Sequence, residues 1–155
     1  MTPAIALAGK AGIVFKTHRY THDPKHSSYG EEAARKLGVD PARVFKTLVI
    51  SLDTDRLAVA VVPVASRLDL KAAAKAFGVK RAEMAQAGEV ARATGYVLGG
   101  VSPLGQKRRL PTLIDDSARA FDTLFVSAGR RGLEIELAPA DLCRLLDGAF
   151  VLLAK

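Results

Sequence analysis

Val44-Phe45-Lys46-Thr47-Leu48-Val49-Ile50 is an apolar run of strand character with a single lysine near its start. Side chains alternate faces along a strand, so Phe45, Thr47 and Val49 share one face and Val44, Lys46, Leu48 and Ile50 share the other. Lys46 therefore sits in an apolar row. Such a lysine either snorkels to the rim on its aliphatic stem or is held in a pocket for an anionic partner. Leu57-Ala-Val-Ala-Val-Val62 returns after Ser51-Leu-Asp-Thr-Asp55 as a second buried strand ended by Pro63, and the pair predicts a hairpin at the centre of the fold.

At 155 residues the chain is expected to form one domain over 1–155, large enough to bury a core without disulfides or metals. An apolar fraction of 49% with 25% charged residues is ordinary for a globular protein and argues against a disordered chain. The formal charge of +7 makes a polyanion the natural partner, because Lys and Arg gain affinity for nucleic acid by releasing condensed counterions. Cys143 is the only cysteine, which excludes an internal disulfide framework and fits a reducing cytoplasm. It lies among leucines in a helical pattern and reads as core. Neither a signal-peptide profile nor a membrane-length apolar run is present, so a soluble cytoplasmic protein with no membrane association is expected.

Thr2-Pro3 opens a capped helix that Gly9 or Gly12 ends, and Val14 to Tyr20 reads as a strand. A polar loop follows over residues 21–27. His18, His22 and His26 recur every four residues, a metal-ligand spacing on a helix. Pro24 and the strand-like run around His18 deny them that helix, so they read as solvated loop histidines and no metal site is expected. Ser28-Tyr29-Gly30-Glu31 has capping-box spacing for a helix that ends at Gly38. Asp40-Pro41 caps a turn into the Lys46 strand. Asp69 caps a helix from Leu70 to Phe77, and Arg81 to Thr94 reads as a broken helical segment containing Gly88.

From Tyr96 onward short β-prone runs alternate with glycine-rich or basic loops. Tyr96-Val-Leu98, Leu110-Pro-Thr-Leu-Ile114, Phe121 to Val126 and Leu133 to Leu137 are the runs. A helix holding Cys143 and the stretch Ala149 to Leu153 close the chain. The mixed order predicts an α+β fold with a largely antiparallel or mixed sheet.

Gly100-Val-Ser-Pro-Leu-Gly-Gln-Lys107 narrowly misses a phosphate-binding P-loop. Its lysine is one place late, and a β-prone run follows where a helix is required. What remains is a loop whose glycines allow a substrate close to main-chain N–H groups, or else a turn that simply needs glycine. Gly129-Arg-Arg-Gly132 has the spacing of a nucleic-acid-clamping GxxG loop, yet it lies between strands rather than helices. Its arginines, with Lys107-Arg108-Arg109, give two basic loops suited to a phosphate backbone, the alternative being a solvated surface. No G-x-S-x-G is present, and Asp115-Asp116 before Ser117 reads as a helix cap. If the chain is an enzyme, it lacks an evident nucleophile.

Phe45-Lys46-Thr47-Leu48, Pro63-Val64, Leu68-Asp69-Leu70-Lys71, Thr94-Gly-Tyr96, Gly99-Gly-Val-Ser-Pro-Leu-Gly-Gln-Lys107, Leu110-Pro-Thr112 and Val126-Ser-Ala-Gly-Arg-Arg-Gly-Leu133 together resemble the YbaK family of Cys-tRNA(Pro) deacylases, in consistent order from Met1 to the last helix. That family lies in the superfamily of prolyl-tRNA synthetase editing domains. The resemblance implies a mixed, barrel-like β-sheet core with surrounding helices and hydrolysis of mischarged aminoacyl-tRNA. It makes Lys46 the functional lysine at the pocket mouth, engaging the acyl-adenosine end. Gly99, Gly100, Val101, Ser102 and Pro103 match the GxxxP loop whose backbone holds the aminoacyl carbonyl. Tyr20 and Ser127 fall at positions that resemble pocket residues, and Tyr29 stands where an aromatic is expected.

The wording from Ser102 to Lys107 favours the cysteine-specific branch over the alanine-specific one. Members of the family are thought to let the substrate thiol attack its own ester and leave as a cyclic thiolactone. Such a site needs no metal and no cofactor, and its missing nucleophile is explained. Lys107, Arg108, Arg109, Arg130 and Arg131 would then meet the acceptor end of a mischarged tRNA, with prolyl-tRNA synthetase as a second partner. Two rivals stay open: a non-catalytic tRNA- or synthetase-binding module that keeps the pocket, and a hydrolase of another small acylated nucleotide.

Overall fold

The computed structural model describes every residue except Ser27 and Thr54, so the end of the 21–27 loop and one residue of the hairpin loop lie outside the described residues. In chain order the elements are α1 (Pro3–Ala11), β1 (Phe15–Arg19), α2 (Tyr29–Leu37), a 3₁₀ turn (Pro41–Arg43), β2 (Phe45–Leu52), β3 (Leu57–Pro63), α3 (Leu70–Ala76), β4 (Ala82–Met84), α4 (Ala87–Thr94), β5 (Thr112–Asp115), a second 3₁₀ turn (Asp116–Ala120), β6 (Leu124–Arg130), β7 (Leu133–Leu137), α5 (Pro139–Leu146) and β8 (Ala149–Val151). The fold is α+β. One sheet is mixed, with order β4-β2-β3-β5-β8, and the other is antiparallel, with order β1-β7-β6.

The expected hairpin forms the centre of the larger sheet: β2 pairs antiparallel with β3, placing Lys46 opposite Val62 and Thr47 opposite Val61. Strand alternation then divides the core. Phe45, Val49, Val59 and Val61 face a main core shared with α1, α4, α5 and the apolar side of β6 and β7, whereas Ile50, Ala58, Ala60 and Val62 face a second core beside α3. Every residue of β3 is buried, as expected for a strand covered on both sides. A third cluster joins Ala33 and Ala34 of α2 to Val44, Val64 and Phe125, seating α2 over the point where the two sheets meet.

Several local readings hold. Thr2 caps α1 by accepting from the Ile5 N–H, and Gly12 ends it in the left-handed conformation. Asp40 accepts from the Ala42 N–H, and Asp69 accepts from the N–H groups of Lys71 and Ala72. Asp115 caps its 3₁₀ turn through Ser117 and also accepts from the N–H groups of Leu153 and Ala154, fastening the C-terminal end to the sheet.

Five readings change. Ser28 precedes α2 but its side chain makes no cap bond, and Glu31, the other half of the expected box, lines a cavity that also holds Lys46. The segment from Arg81 to Thr94 is not one broken helix: β4 adds to the edge of β2 before α4 begins, a pairing that a three-residue run cannot signal by periodicity. Tyr96-Val-Leu98 forms no strand, since Tyr96 is buried with its hydroxyl donating to the Leu104 carbonyl while Val97 and Leu98 are exposed. The two sheets meet through a bridge between Val44 and Phe125, and among the described residues they do not close into a barrel. Cys143 is half-buried against the main core rather than wholly inside it.

Candidate active site

A cavity of about 280 Å³ opens where α2, the start of β2, the loop after Tyr96 and the β6–β7 pair converge. Tyr20, Tyr29, Lys46, Gly99, Val101 and Ser127, singled out in the sequence, all line it, together with Thr47, Val64, Leu98, Glu31 and Glu134. The convergence follows from topology. Val44 bridges to Phe125, so β2 enters its sheet alongside β6 and sets Lys46 and Thr47 near Ser127.

Lys46 donates from Nζ to the Ser66 carbonyl at 2.9 Å. The side chain is half-buried in the cavity wall. Burial holds its ammonium below the ordinary lysine range, with Glu31 opposing and Arg67 reinforcing that shift. Thr47 lies on the adjacent face. Its buried Oγ1 has no hydrogen-bond partner among the described residues, which leaves a polar atom of the lining free for a ligand.

Ser127 owes its direction to a bulge: the β6–β7 register shifts between Ser127 and Arg130, and the Ser127 Oγ accepts from the Gly129 N–H at 3.1 Å. Directly opposite on β7 stands Glu134, a residue that sequence reasoning missed. Leu133-Glu-Ile-Glu-Leu137 alternates strictly, the pattern of a strand with its glutamates in water. In the fold Glu134 is instead buried in the cavity wall, between His18 of β1 and Ser127 of β6. It is 6% exposed, and burial pushes its carboxyl up to about 8. At neutral pH it is therefore a protonated acid able to donate a hydrogen bond. Burial, then the neighbouring Glu134, raises the Tyr20 phenol to about 12.

The mouth is braced by Arg131. Its guanidinium lies 4.0 Å from the centre of the Tyr29 ring, and Nη2 donates to the Tyr29 hydroxyl at 2.6 Å and to the Leu98 carbonyl at 3.1 Å. This brace explains Gly99. At φ +91° it holds a conformation unfavourable to other residues, and a Cβ there would stand 2.3 Å from the Arg131 Nε. Gly100 does not line the cavity; a Cβ on it would meet the Arg130 backbone at 2.7 Å, and its N–H donates to the Val97 carbonyl. Ser102 and Pro103 also lie outside it. The buried Ser102 Oγ accepts from the Leu104 N–H, and Pro103 borders a separate groove. The loop residues that reach the cavity are thus Gly99 and Val101.

Lys107, Arg108 and Arg109 are exposed, and the two arginines border that second groove with Leu7 and Leu145. Arg130, the last residue of β6, and Arg131, in the turn to β7, are also exposed. The three histidines find separate neighbours: His18 contacts Glu136, His22 contacts Glu32, and His26 accepts from the Ser28 N–H. Among the described residues no cluster of His, Cys, Asp or Glu is arranged to hold a metal. None of their helices is long and apolar enough to cross a membrane.

The sequence profile of the Aminoacyl-tRNA editing domain family matches residues 22–145. A protein of Enterococcus faecalis named "Putative Cys-tRNA(Pro)/Cys-tRNA(Cys) deacylase EbsC" is 38% identical over 149 residues, 96% of this chain and 90% of that one. The chain belongs to the aminoacyl-tRNA editing family. By that membership it is an aminoacyl-tRNA deacylase, as its resemblance to the YbaK deacylases implied. The editing-domain fold recurs in solved structures. One described as "a putative trans-editing enzyme for prolyl tRNA synthetase" superposes with a TM-score of 0.86 at 23% identity, covering 99% of this chain and 95% of that one. The hypothetical protein APE2540 superposes with a TM-score of 0.87 at 22% identity, covering 99% of each.

Proposed function

We propose that this editing domain, acting as one unit over 1–155, removes cysteine from mischarged Cys-tRNA(Pro) by letting the substrate thiol attack its own ester. One observation supports the reading: among the described residues that line the cavity there is no cysteine and no histidine, so no Cys–His or Ser–His pair stands there. Cys143 is elsewhere, and burial, then Asp147, raises its thiol pKa. In this reading the reactive sulfur comes from the substrate.

In the proposed step the cysteine sulfur bonds to the ester carbonyl carbon, and the bond from that carbon to the ribose oxygen breaks. The thiol proton ends on the departing ribose hydroxyl, and a cyclic thiolactone leaves. Holding sulfur and carbonyl at attack distance lowers the barrier by roughly 7–11 kcal/mol in the best intramolecular cases. Lys46 engages the acyl-adenosine end, and the N–H groups of Gly99 and Val101 face the carbonyl as charge develops on its oxygen. Tyr20, Tyr29 and Ser127 shape the acyl pocket, and neutral Glu134 donates into it. Lys107, Arg108, Arg109, Arg130 and Arg131 meet acceptor-end phosphates, with prolyl-tRNA synthetase as the partner that presents the tRNA.

The test is incubation of the protein with Cys-tRNA(Pro), Cys-tRNA(Cys) and Ala-tRNA(Pro), scoring freed tRNA and analysing the released product by mass spectrometry. Release of thiolactone from the cysteinyl substrates, with alanyl-tRNA spared, is expected. Binding without release would make the chain a non-catalytic module. Equal hydrolysis of the alanyl ester would remove the thiol from the mechanism.

A further inference from the structure

Glu32 lies in the buried face of α2 with none of its surface exposed, although glutamate is rarely fully buried unless it is paired. It is fully engaged. His22 Nδ1 lies 2.6 Å from Oε1, the Asp23 N–H donates to Oε2 at 2.8 Å, and Lys36 Nζ stands 3.5 Å from Oε2. The same Lys36 donates to the Thr21 carbonyl. Three consecutive residues, Thr21, His22 and Asp23, are thereby fastened to one side of α2.

These bonds outweigh the burial that opposes ionisation, and the Glu32 carboxyl sits below the usual range. An ionised carboxylate only accepts, so His22 carries its proton on Nδ1 and donates it. Its Nε2 is buried without a partner among the described residues.

The fastened segment begins directly after Tyr20, whose N–H donates to the Gly132 carbonyl at 3.0 Å. The held imidazole rests against Tyr29, with ring centres 5.8 Å apart at 58°. Tyr20 and Tyr29 are both walls of the cavity. We infer that Glu32 and His22 are a positioning pair: the carboxylate holds the imidazole, the imidazole sets the Tyr29 ring under Arg131, and the fastened loop fixes Tyr20. Neither residue lines the cavity, so each acts on a substrate only through the tyrosines. The inference rests on the deacylase reading for its kinetic test and on geometry alone for its spectroscopic one.

His22→Asn tests it with least risk to folding, because the Asn amide can still donate to Glu32 while the ring that touches Tyr29 is gone. His22→Phe keeps a ring and removes the donor. Measured on Cys-tRNA(Pro), His22→Asn should retain a melting temperature near that of the parent, raise KM about 10-fold and change kcat by less than about 3-fold. In a Tyr29→Ala background the same change should leave KM unaltered, since residues acting through one contact are not additive. An unchanged KM in folded His22→Asn, or full additivity with Tyr29→Ala, would overturn the inference.

Should the parent protein release no cysteine, the deacylase reading fails and the positioning pair is judged by NMR of the free protein. His22→Asn should then shift the Tyr29 ring resonances and leave in place those of Tyr96, which is buried with its hydroxyl on the Leu104 carbonyl. Unmoved Tyr29 resonances would equally overturn it. If His22→Phe unfolds, the loss shows the carboxylate left without its donor, and His22→Asn still decides.

Discussion

Replacing Glu134 with Gln should change how stability depends on pH more than it changes stability at any acidic pH. The buried carboxyl titrates at about 8 in the folded chain against 4.5 for the free group. A difference of roughly 3.5 pH units corresponds to about 5 kcal/mol between the protonated and ionised limits, at about 1.36 kcal/mol per unit. The sign follows from proton binding. The folded state holds this proton more tightly than the unfolded chain, so its contribution is complete below about pH 4.5 and is lost as pH rises to about 8. By pH 7 roughly 3 kcal/mol of it has gone. Gln at this position cannot titrate. Urea unfolding of parent and Glu134→Gln from pH 4 to pH 9 should therefore give a difference that grows by about 5 kcal/mol in favour of Gln, most of it between pH 5 and 8. Subtracting the two curves cancels the groups that Glu134 does not influence, and Tyr20, which it does influence, titrates at about 12, above this range. Parallel curves, within about 1 kcal/mol, would mean that the folded chain tolerates the carboxylate and that Glu134 is not a neutral donor at pH 7.

Lys46→Met should fold with a melting temperature within a few degrees of the parent and lose deacylation, because it keeps the aliphatic stem and removes the charge and the bond to Ser66. Lys46→Arg, which keeps the charge in a planar fork, should lose activity in large part; near-normal turnover by the Met variant would remove Lys46 from the site. Cys143→Ala should cost about 1 kcal/mol on urea unfolding and keep activity per folded molecule, since the thiol is half-buried away from the cavity. Neutralising Lys107, Arg108 and Arg109 together should flatten the salt dependence of tRNA binding by about one unit of slope per lost phosphate contact, with an unchanged slope returning them to the solvated surface.

The sequence by itself determined the local pieces and the centre of the fold. The β2–β3 hairpin was legible because both strands are continuous apolar runs bounded by turn residues and Pro63. The caps at Thr2, Asp40, Asp69 and Asp115 were legible because a capping bond spans only two or three residues. Lys46 is legible as a charge in an apolar row. Pairing between distant segments was not legible: β4 on the edge of β2, the parallel pairing of β5 with β3, and the bridge from Val44 to Phe125 all depend on loops whose paths no period encodes.

The chemistry of the cavity was decided there. Glu134 and Glu32 carry ordinary surface patterns, one in an alternating strand and one in the first turn of a helix. Glu134 is buried in the cavity wall opposite Ser127 and Glu32 on the inner side of α2 under the His22–Asp23 segment; burial makes the first a neutral acid, while hydrogen bonds keep the second an ionised carboxylate. Gly99 likewise reads in sequence as a residue that opens the backbone to a ligand, whereas tertiary contact adds that Arg131 occupies the space a side chain would need. Residue type and spacing carry the capacity for a hydrogen bond or a charge. Which groups lose their water, and which find partners when they do, is settled only when elements far apart in the chain pack together.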